Sequence, residues 1–188
     1  MHPVVHRLHR DHEHLDQALD LLESHVDAFH EGEPIDFELI AMVLEYLADY
    51  ADRVHHRVED QVFAHLQDRR DDIGATVRQV MQQHPHLSSR TRQFQSTIEG
   101  VVHDAVVTRE ELEQQARAFI GLQREHLRLE DTRLLPQLEG LLGSAVLDAA
   151  AKVLPGDEDP VFGAQRRDRF LSLFERLRQA GPGGRAGS

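Results

Sequence analysis

The sequence contains no cysteine and no tryptophan, and only two of its 188 residues are tyrosine. The absence of cysteine excludes disulfides, thiol nucleophiles and thiolate metal sites, so any metal ion must be held by nitrogen and oxygen atoms. No apolar run approaches the roughly 18 residues of a membrane-spanning helix. The N-terminus, MHPVVHRLHRDHEHL, lacks the apolar stretch of a signal peptide. We therefore expect a cytoplasmic protein with no membrane partner.

Basic residues are also scarce, since 21 Lys and Arg stand against 33 Asp and Glu, for a formal net charge of −12. A surface this acidic repels nucleic acids and anionic membranes, which argues against both as partners. The length suits one domain with a sizeable core, alone or with an appendage. Histidine is abundant, with 14 residues, so the positions of the histidines need an explanation.

Four segments of the chain show the three-and-four spacing of apolar residues that is typical of amphipathic helices. The first covers roughly the first thirty residues, and the second runs from about residue 36 to about residue 68 behind Asp36, a predicted N-cap. The third contains Pro85, where we expect a bend but no break. The fourth opens at Thr108, with Glu111 completing a capping box. Short polar links between them predict an all-α fold, an antiparallel up-and-down four-helix bundle.

The domain boundaries follow from the same pattern. The bundle is expected to span residues 1–142, and a C-terminal helical extension residues 143–180. Residues 181–188, GPGGRAGS after Ala180, read as a disordered tail. The basic amphipathic helix in the extension is expected to pack on the bundle or on a second subunit; docking of a partner protein is the alternative.

Each predicted helix carries histidine, and two of them also glutamate, where the apolar spacing calls for an apolar residue. With alternate helices running in opposite directions, all these residues fall roughly 14 to 21 Å from the same end of the bundle. They converge on one layer: His12, His55, Glu59, His84, His126 and Glu130.

Helix phase decides between neighbouring candidates. Residues four apart share a face, whereas adjacent residues are turned by about 100°. His55 and Glu59 are therefore expected to point inward. His56 and Asp60 are expected to form a partly exposed ion pair, with the orientation of a metal ligand as the alternative role. The same phase favours Glu130 over Asp131 on the fourth helix.

The chemistry of this layer predicts a dinuclear metal site. A single buried histidine is more often a hydrogen-bonded core residue, but buried carboxylates need a cation or a shifted pKa. No Lys or Arg lies nearby on the inward faces. Imidazole with carboxylate and no sulfur suits iron, manganese or zinc. Two carboxylates that bridge two ions, with two imidazoles for each ion, account for all six residues.

The motifs RDHEHL, HHRVEDQVF, QQHPHL and EHLRLEDTRLLP resemble those of the hemerythrin-like (HHE cation-binding) proteins over about residues 1–142. The resemblance implies a four-helix bundle that holds two iron ions, bridged by two carboxylates and an oxo or hydroxo group. It implies Glu59 and Glu130 as the bridging carboxylates. It also implies one pair of histidines for each iron: His12 with His55, and His84 with His126.

One position departs from the family pattern. Oxygen-carrying hemerythrins have a further histidine four residues after the third-helix ligand, and this position is Ser88 here. His86 lies about 160° around the helix from His84, so it replaces that ligand only if Pro85 redirects it. A two-plus-two arrangement leaves an open position on both irons. The Glu-x-x-His pairs of ferritin-like di-iron proteins are absent from the inward faces.

The leading functional hypothesis is a non-haem di-iron protein that binds O₂ or a related small oxidant, such as peroxide or nitric oxide, for sensing, storage or detoxification. Such a protein is a metal- and oxygen-binding protein rather than a dedicated enzyme. One alternative is an iron homeostasis protein that signals to a partner through the C-terminal helix. The other is a structural helical bundle without a working metal site.

Overall fold

The computed structural model describes residues 1–153, 159–164 and 167–180. No β-strand occurs in these three stretches, so the predicted all-α class is confirmed. Four long helical segments come first along the chain. They are α1 (Pro3–His30), a composite segment of α2 (Phe37–Tyr46), a π-helix (Leu47–His55) and α3 (His56–Phe63), then α4 (Asp72–Val102) and α5 (Arg109–Arg133).

The helix starts follow the signals in the sequence. The Asp36 side chain accepts the N–H of Leu39 at 3.0 Å and caps α2. Thr108 and Glu111 form the predicted capping box of α5, in which each side chain accepts the other's backbone N–H. Helix α4 continues through Pro85 without a break.

Packing of the long segments places a polar layer between two apolar clusters. Helix α1 packs along α5, α5 along α4, and α4 against α2 and the π-helix. On α1, Leu8 belongs to one apolar cluster and Leu15 to the other, while Asp11 and His12 are buried between them. The predicted polar layer therefore lies inside the core.

The C-terminal part folds back onto this core. A 3₁₀ turn (Leu135–Gln137) leads into α6 (Leu138–Val153), which kinks at Gly143, where φ is +72°. A second 3₁₀ turn (Asp168–Phe170) leads into α7 (Leu171–Ala180), which contacts α1 and α2. The predicted tail, 181–188, lies outside the described residues. Within the described residues, every helix is too short or too polar to cross a membrane.

Candidate metal centre

A π-helix brings two adjacent histidines to the same buried layer. An α-helix turns neighbouring side chains by about 100°, so it cannot point both inward. The wider turn of the π-helix Leu47–His55 changes this phase. His55 is fully buried and His56 is only 3% exposed. The expectation that His56 lies on a partly exposed face is therefore wrong.

Seven buried side chains form two groups that share Glu59. Within each group the potential ligand atoms all lie within 4.8 Å of one another. The first group has three histidines and the second has two histidines and two carboxylates. Their members are His56, Glu59, His84 and His126 in the first group, and His12, His55, Glu59 and Glu130 in the second. The structure thus brings together all six residues selected from the sequence, and adds His56.

The two glutamates face histidines of both groups. The Oε1 atom of Glu59 lies 3.1 Å from the Nε2 atoms of both His12 and His55, and its Oε2 atom lies 3.5 Å from Nε2 of His84. Glu130 contacts His12 at 3.3 Å, His126 at 3.5 Å and His84 at 3.7 Å. Both carboxylates therefore lie between the histidines of the two groups.

The outer nitrogen of each imidazole faces an oxygen atom, which fixes the ring. Four of the histidines hydrogen-bond through Nδ1 and direct Nε2 to the interior. The pairs are His12 with Asp131 at 2.8 Å, His55 with Asp11 at 3.3 Å, His84 with Asp60 at 2.8 Å, and His126 with Gln83 at 3.0 Å. Nδ1 of His56 lies 3.5 Å from Asp52, which is longer than a good hydrogen bond.

Several inner atoms have no hydrogen-bond partner among the described residues. They are the Nε2 atoms of His55, His84 and His126, the Oε2 atom of Glu59 and both carboxylate oxygens of Glu130. A buried polar atom without a partner costs about 1–3 kcal/mol, so six in one place are not expected in a purely structural core. Nitrogen and oxygen donors of this kind suit iron, manganese or zinc. The residues therefore fit the binding of metal ions.

Comparison with known families agrees with this chemistry. The model of the Hemerythrin HHE cation binding domain matches residues 4–138, a stretch that contains all seven side chains. The chain belongs to this hemerythrin family. No curated protein and no solved structure matches the chain.

The geometry of this hemerythrin-like chain also shows the roles of three residues that lie next to or near the candidate ligands. Asp60 accepts a hydrogen bond from His84 instead of pairing with His56, so it orients a candidate ligand. Glu130 is fully buried, whereas the Asp131 side chain is 42% exposed, which agrees with the choice made from helix phase. His86 is exposed and belongs to neither group.

The side chains of the hemerythrin-like site have pKa values shifted in both directions. Burial opposes protonation of His55 and His84, but the nearby carboxylates outweigh it and raise the pKa of His55 to about 9 and that of His84 to about 10. Burial lowers the pKa of His56 and of His126. The pKa of Glu59 is well below its usual range, because His55 and His12 outweigh its burial. Metal ions compete with protons here, so binding releases protons.

Proposed function

We propose that this hemerythrin-like protein binds two iron ions and, at that centre, O₂ or a related small oxidant such as peroxide or nitric oxide. The observation that carries the proposal is the pair of buried ligand groups that share Glu59. Six polar atoms at their inner face have no hydrogen-bond partner in the part of the chain that the structure describes, which supports the proposal. The proposal includes the antiparallel up-and-down arrangement of the four long helical segments.

The two groups differ in the number of imidazoles, and this difference assigns them different roles. His56, His84 and His126 would hold one iron, while His12 and His55 would hold the other. Glu59 and Glu130 would bridge the two. The position with only two imidazoles has fewer protein donors, so it is the one we expect to accept a small ligand. Iron supplies the redox and ligand-binding chemistry at such an open position.

The protein around the centre restricts what reaches it. Apolar clusters lie on both sides of the polar layer, with Leu8 and Val62 in one and Leu15 and Leu44 in the other. Such walls limit access of water and protons, which favours binding of a small molecule over hydrolysis. The role of this chain is therefore to hold the ions dry and in a fixed geometry.

The test is to measure iron per chain in purified protein and its absorption spectrum, reduced, before and after exposure to oxygen. We expect about two ions per chain, one for each group of candidate ligands. We also expect an absorption band in the visible range that appears on exposure to oxygen. Glu59→Gln should reduce the binding of both ions, because Glu59 belongs to both groups, while the exposed Glu125→Gln serves as a matched control. Wild-type protein without iron would contradict the proposal.

The oxygen experiment also separates binding from redox chemistry. A band that disappears when oxygen is removed indicates reversible binding, which suits storage or sensing. Prompt and irreversible oxidation indicates consumption of the oxidant, which suits detoxification or redox sensing. A reduced iron-loaded protein that shows no change with oxygen, peroxide or nitric oxide contradicts the small-oxidant part of the proposal.

One contact favours the second candidate function, iron sensing through a partner. His14 lies two residues after His12 on α1, and its Nδ1 atom hydrogen-bonds Asp159 of the C-terminal part at 3.0 Å. A shift of α1 on metal binding would therefore reach the residues that hold α7. Hydrogen exchange of residues 171–180 with and without iron tests this; equal protection contradicts it.

A further inference from the structure

A surface cavity of about 530 Å³ lies between α1 and α5 and reaches the candidate metal centre. Its floor includes His12, which is otherwise buried. Two other cavities, of about 290 and 420 Å³, are lined by none of the seven candidate ligands. The larger cavity therefore differs from these two in sharing a wall with the centre.

One imidazole ring separates this cavity from the inner oxygens. The Nε2 atom of His12 lies 3.1 Å from Glu59 and 3.3 Å from Glu130 on the inner side. Its Nδ1–H group donates a hydrogen bond of 2.8 Å to the carboxylate of Asp131, which lines the cavity. Asp131 also lies 3.8 Å from His9, at the cavity wall. A chain of ligating side chains thus runs from the surface to the centre.

The cavity wall carries an excess of negative charge. Glu13, Asp16 and Asp131 line it together with two arginines, Arg124 and Arg128. Both arginines form ion pairs with nearby acids, which offset their positive charge. Arg124 pairs with Asp16 at 3.6 Å, Asp20 at 2.5 Å and Glu23 at 2.7 Å, and Arg128 pairs with Glu125 at 2.7 Å. A cavity wall with a net negative charge attracts cations and raises their association rate.

We propose that this cavity is the route by which divalent metal ions, ferrous iron in the cell, reach the centre. The exposed carboxylate of Glu13 attracts the cation to the opening of the cavity. Asp131 receives it next to His9 and passes it to His12, the first residue of the centre on this path. The proposal rests on the proposed metal-binding function and adds to it the direction from which the ions arrive.

The experiment measures the rate of metal uptake by the metal-free full-length protein. Co²⁺ is mixed rapidly with the protein, and the visible absorption of cobalt bound by imidazole and carboxylate is followed in time. Glu13→Lys should slow uptake roughly tenfold at low ionic strength, because it replaces attraction by repulsion at the mouth. The difference should shrink in high salt. The final number of ions and the final spectrum should match wild type.

Matched controls separate this route from general effects of charge and bulk. Glu99→Lys makes the same charge change at an exposed position near the far end of α4 and should leave the rate unchanged. Thr132→Trp narrows the cavity and should slow uptake at any salt concentration. Ala118→Trp fills the separate cavity of about 290 Å³ and should not slow it.

The outcomes distinguish the route from the function. If Glu13→Lys and Thr132→Trp load at the wild-type rate and to the wild-type level, the route is wrong while metal binding stands. A wild-type rate in Glu13→Lys alone at low salt also overturns the proposal, since the electrostatic step is part of it. If wild-type protein binds no Co²⁺ and no ferrous iron, the metal-binding function itself fails.

Discussion

Two buried polar clusters of this protein differ in how well their atoms are satisfied. In the metal centre, six inner atoms of the candidate ligands lack hydrogen-bond partners among the described residues. Around Asp159 the opposite holds. One Asp159 oxygen accepts hydrogen bonds from Tyr46 at 2.8 Å and His14 at 3.0 Å, and the other accepts the N–H groups of Val161 and Phe162 at 2.8 and 2.9 Å.

This difference separates a site whose hydrogen bonds and charges a bound ligand would complete from one that is complete without a ligand. Asp159 is only 3% exposed and Glu59 is fully buried, so burial alone does not distinguish them. The cost of burying Asp159 is met inside the chain, and the cluster holds the C-terminal part against α1 and α2. In the metal-free chain, the charges of Glu59 and Glu130 are offset by protonated His12, His55 and His84, whose pKa values these carboxylates raise against the effect of burial. Bound metal ions would displace those protons. Removing metal should therefore affect the first cluster and not the second.

The largest effect is expected from chelation. The candidate ligands come together only in the folded chain, so the proposed metal should bind that form. An ion present at 1,000 times its dissociation constant would then add about 4 kcal/mol of stability. For a chain of this length, removing it should lower Tm by about 8–16 °C. Calorimetry of iron-loaded protein with and without a chelator measures this. An unchanged Tm, or an unchanged fold with higher Tm in Glu59→Ala, would support the structural-bundle alternative.

The substitution Asp159→Asn should cost about 3 kcal/mol, because an amide nitrogen faces donors that previously met a carboxylate oxygen. The loss should be the same with and without iron, and iron per chain should stay at the wild-type value. Chemical denaturation of both forms measures it. Asp168→Asn, at an exposed position nearby in the chain, is the matched control. A loss of bound iron in Asp159→Asn would show that the two clusters are coupled.

His56→Gln tests the residue that only the structure brought into the centre. Loss of one imidazole from the three-histidine group should weaken binding of one ion by about 10–100-fold or more, and leave the other in place. Competitive titration with a chelator of known affinity measures this. His86→Gln removes an exposed histidine two residues from His84 and should change nothing. Equal metal affinities in His56→Gln and His86→Gln would show that His56 is a structural residue and not a metal ligand.

The sequence predicts most of the centre and little of the Asp159 cluster. His12, His84, His126 and Glu130 lie on α-helices, so apolar spacing alone identifies their inward faces. His56 was missed because the π-helix breaks that spacing. A signal was present in Tyr50 and Val54, which are apolar and buried although they lie off the predicted inward face.

Long-range contacts explain what spacing could not show. Asp159 meets Tyr46 across 113 positions and His14 across 145. It lies in a turn-rich stretch, DEDPVFG, that has no helical period to indicate which side faces inward. The stretch contains three acids, Asp159 among them, and they look equivalent in the sequence. The hydrogen bonds from His14 and Tyr46, which only the folded chain brings to Asp159, show that this acid is buried.

The Asp159 cluster should make the free energy of unfolding depend on pH in the acid range. Burial opposes ionisation of Asp159, but the hydrogen bonds from His14 and from two backbone N–H groups outweigh it and lower its pKa. A depressed pKa means that this carboxylate stabilises the fold fully above about pH 3.9, its unfolded pKa, and loses this contribution as pH falls further. Metal-free wild type should therefore lose stability faster than Asp159→Asn below about pH 4. Parallel curves would contradict the assignment.

The smallest effect is expected from Tyr46→Phe, which removes one of the four hydrogen bonds to Asp159 and leaves the ring in place. We expect a loss of about 1 kcal/mol in denaturation. Combined with Asp159→Asn it should add little, because both changes break the same contact. Tyr46 also stacks on Tyr50, with ring centroids 5.9 Å apart. Burial raises the pKa of Tyr50, and the carboxylate of Asp11, which accepts a hydrogen bond from His55, raises it further. If Tyr46→Phe changes iron affinity, this stack connects the two clusters and they do not act independently.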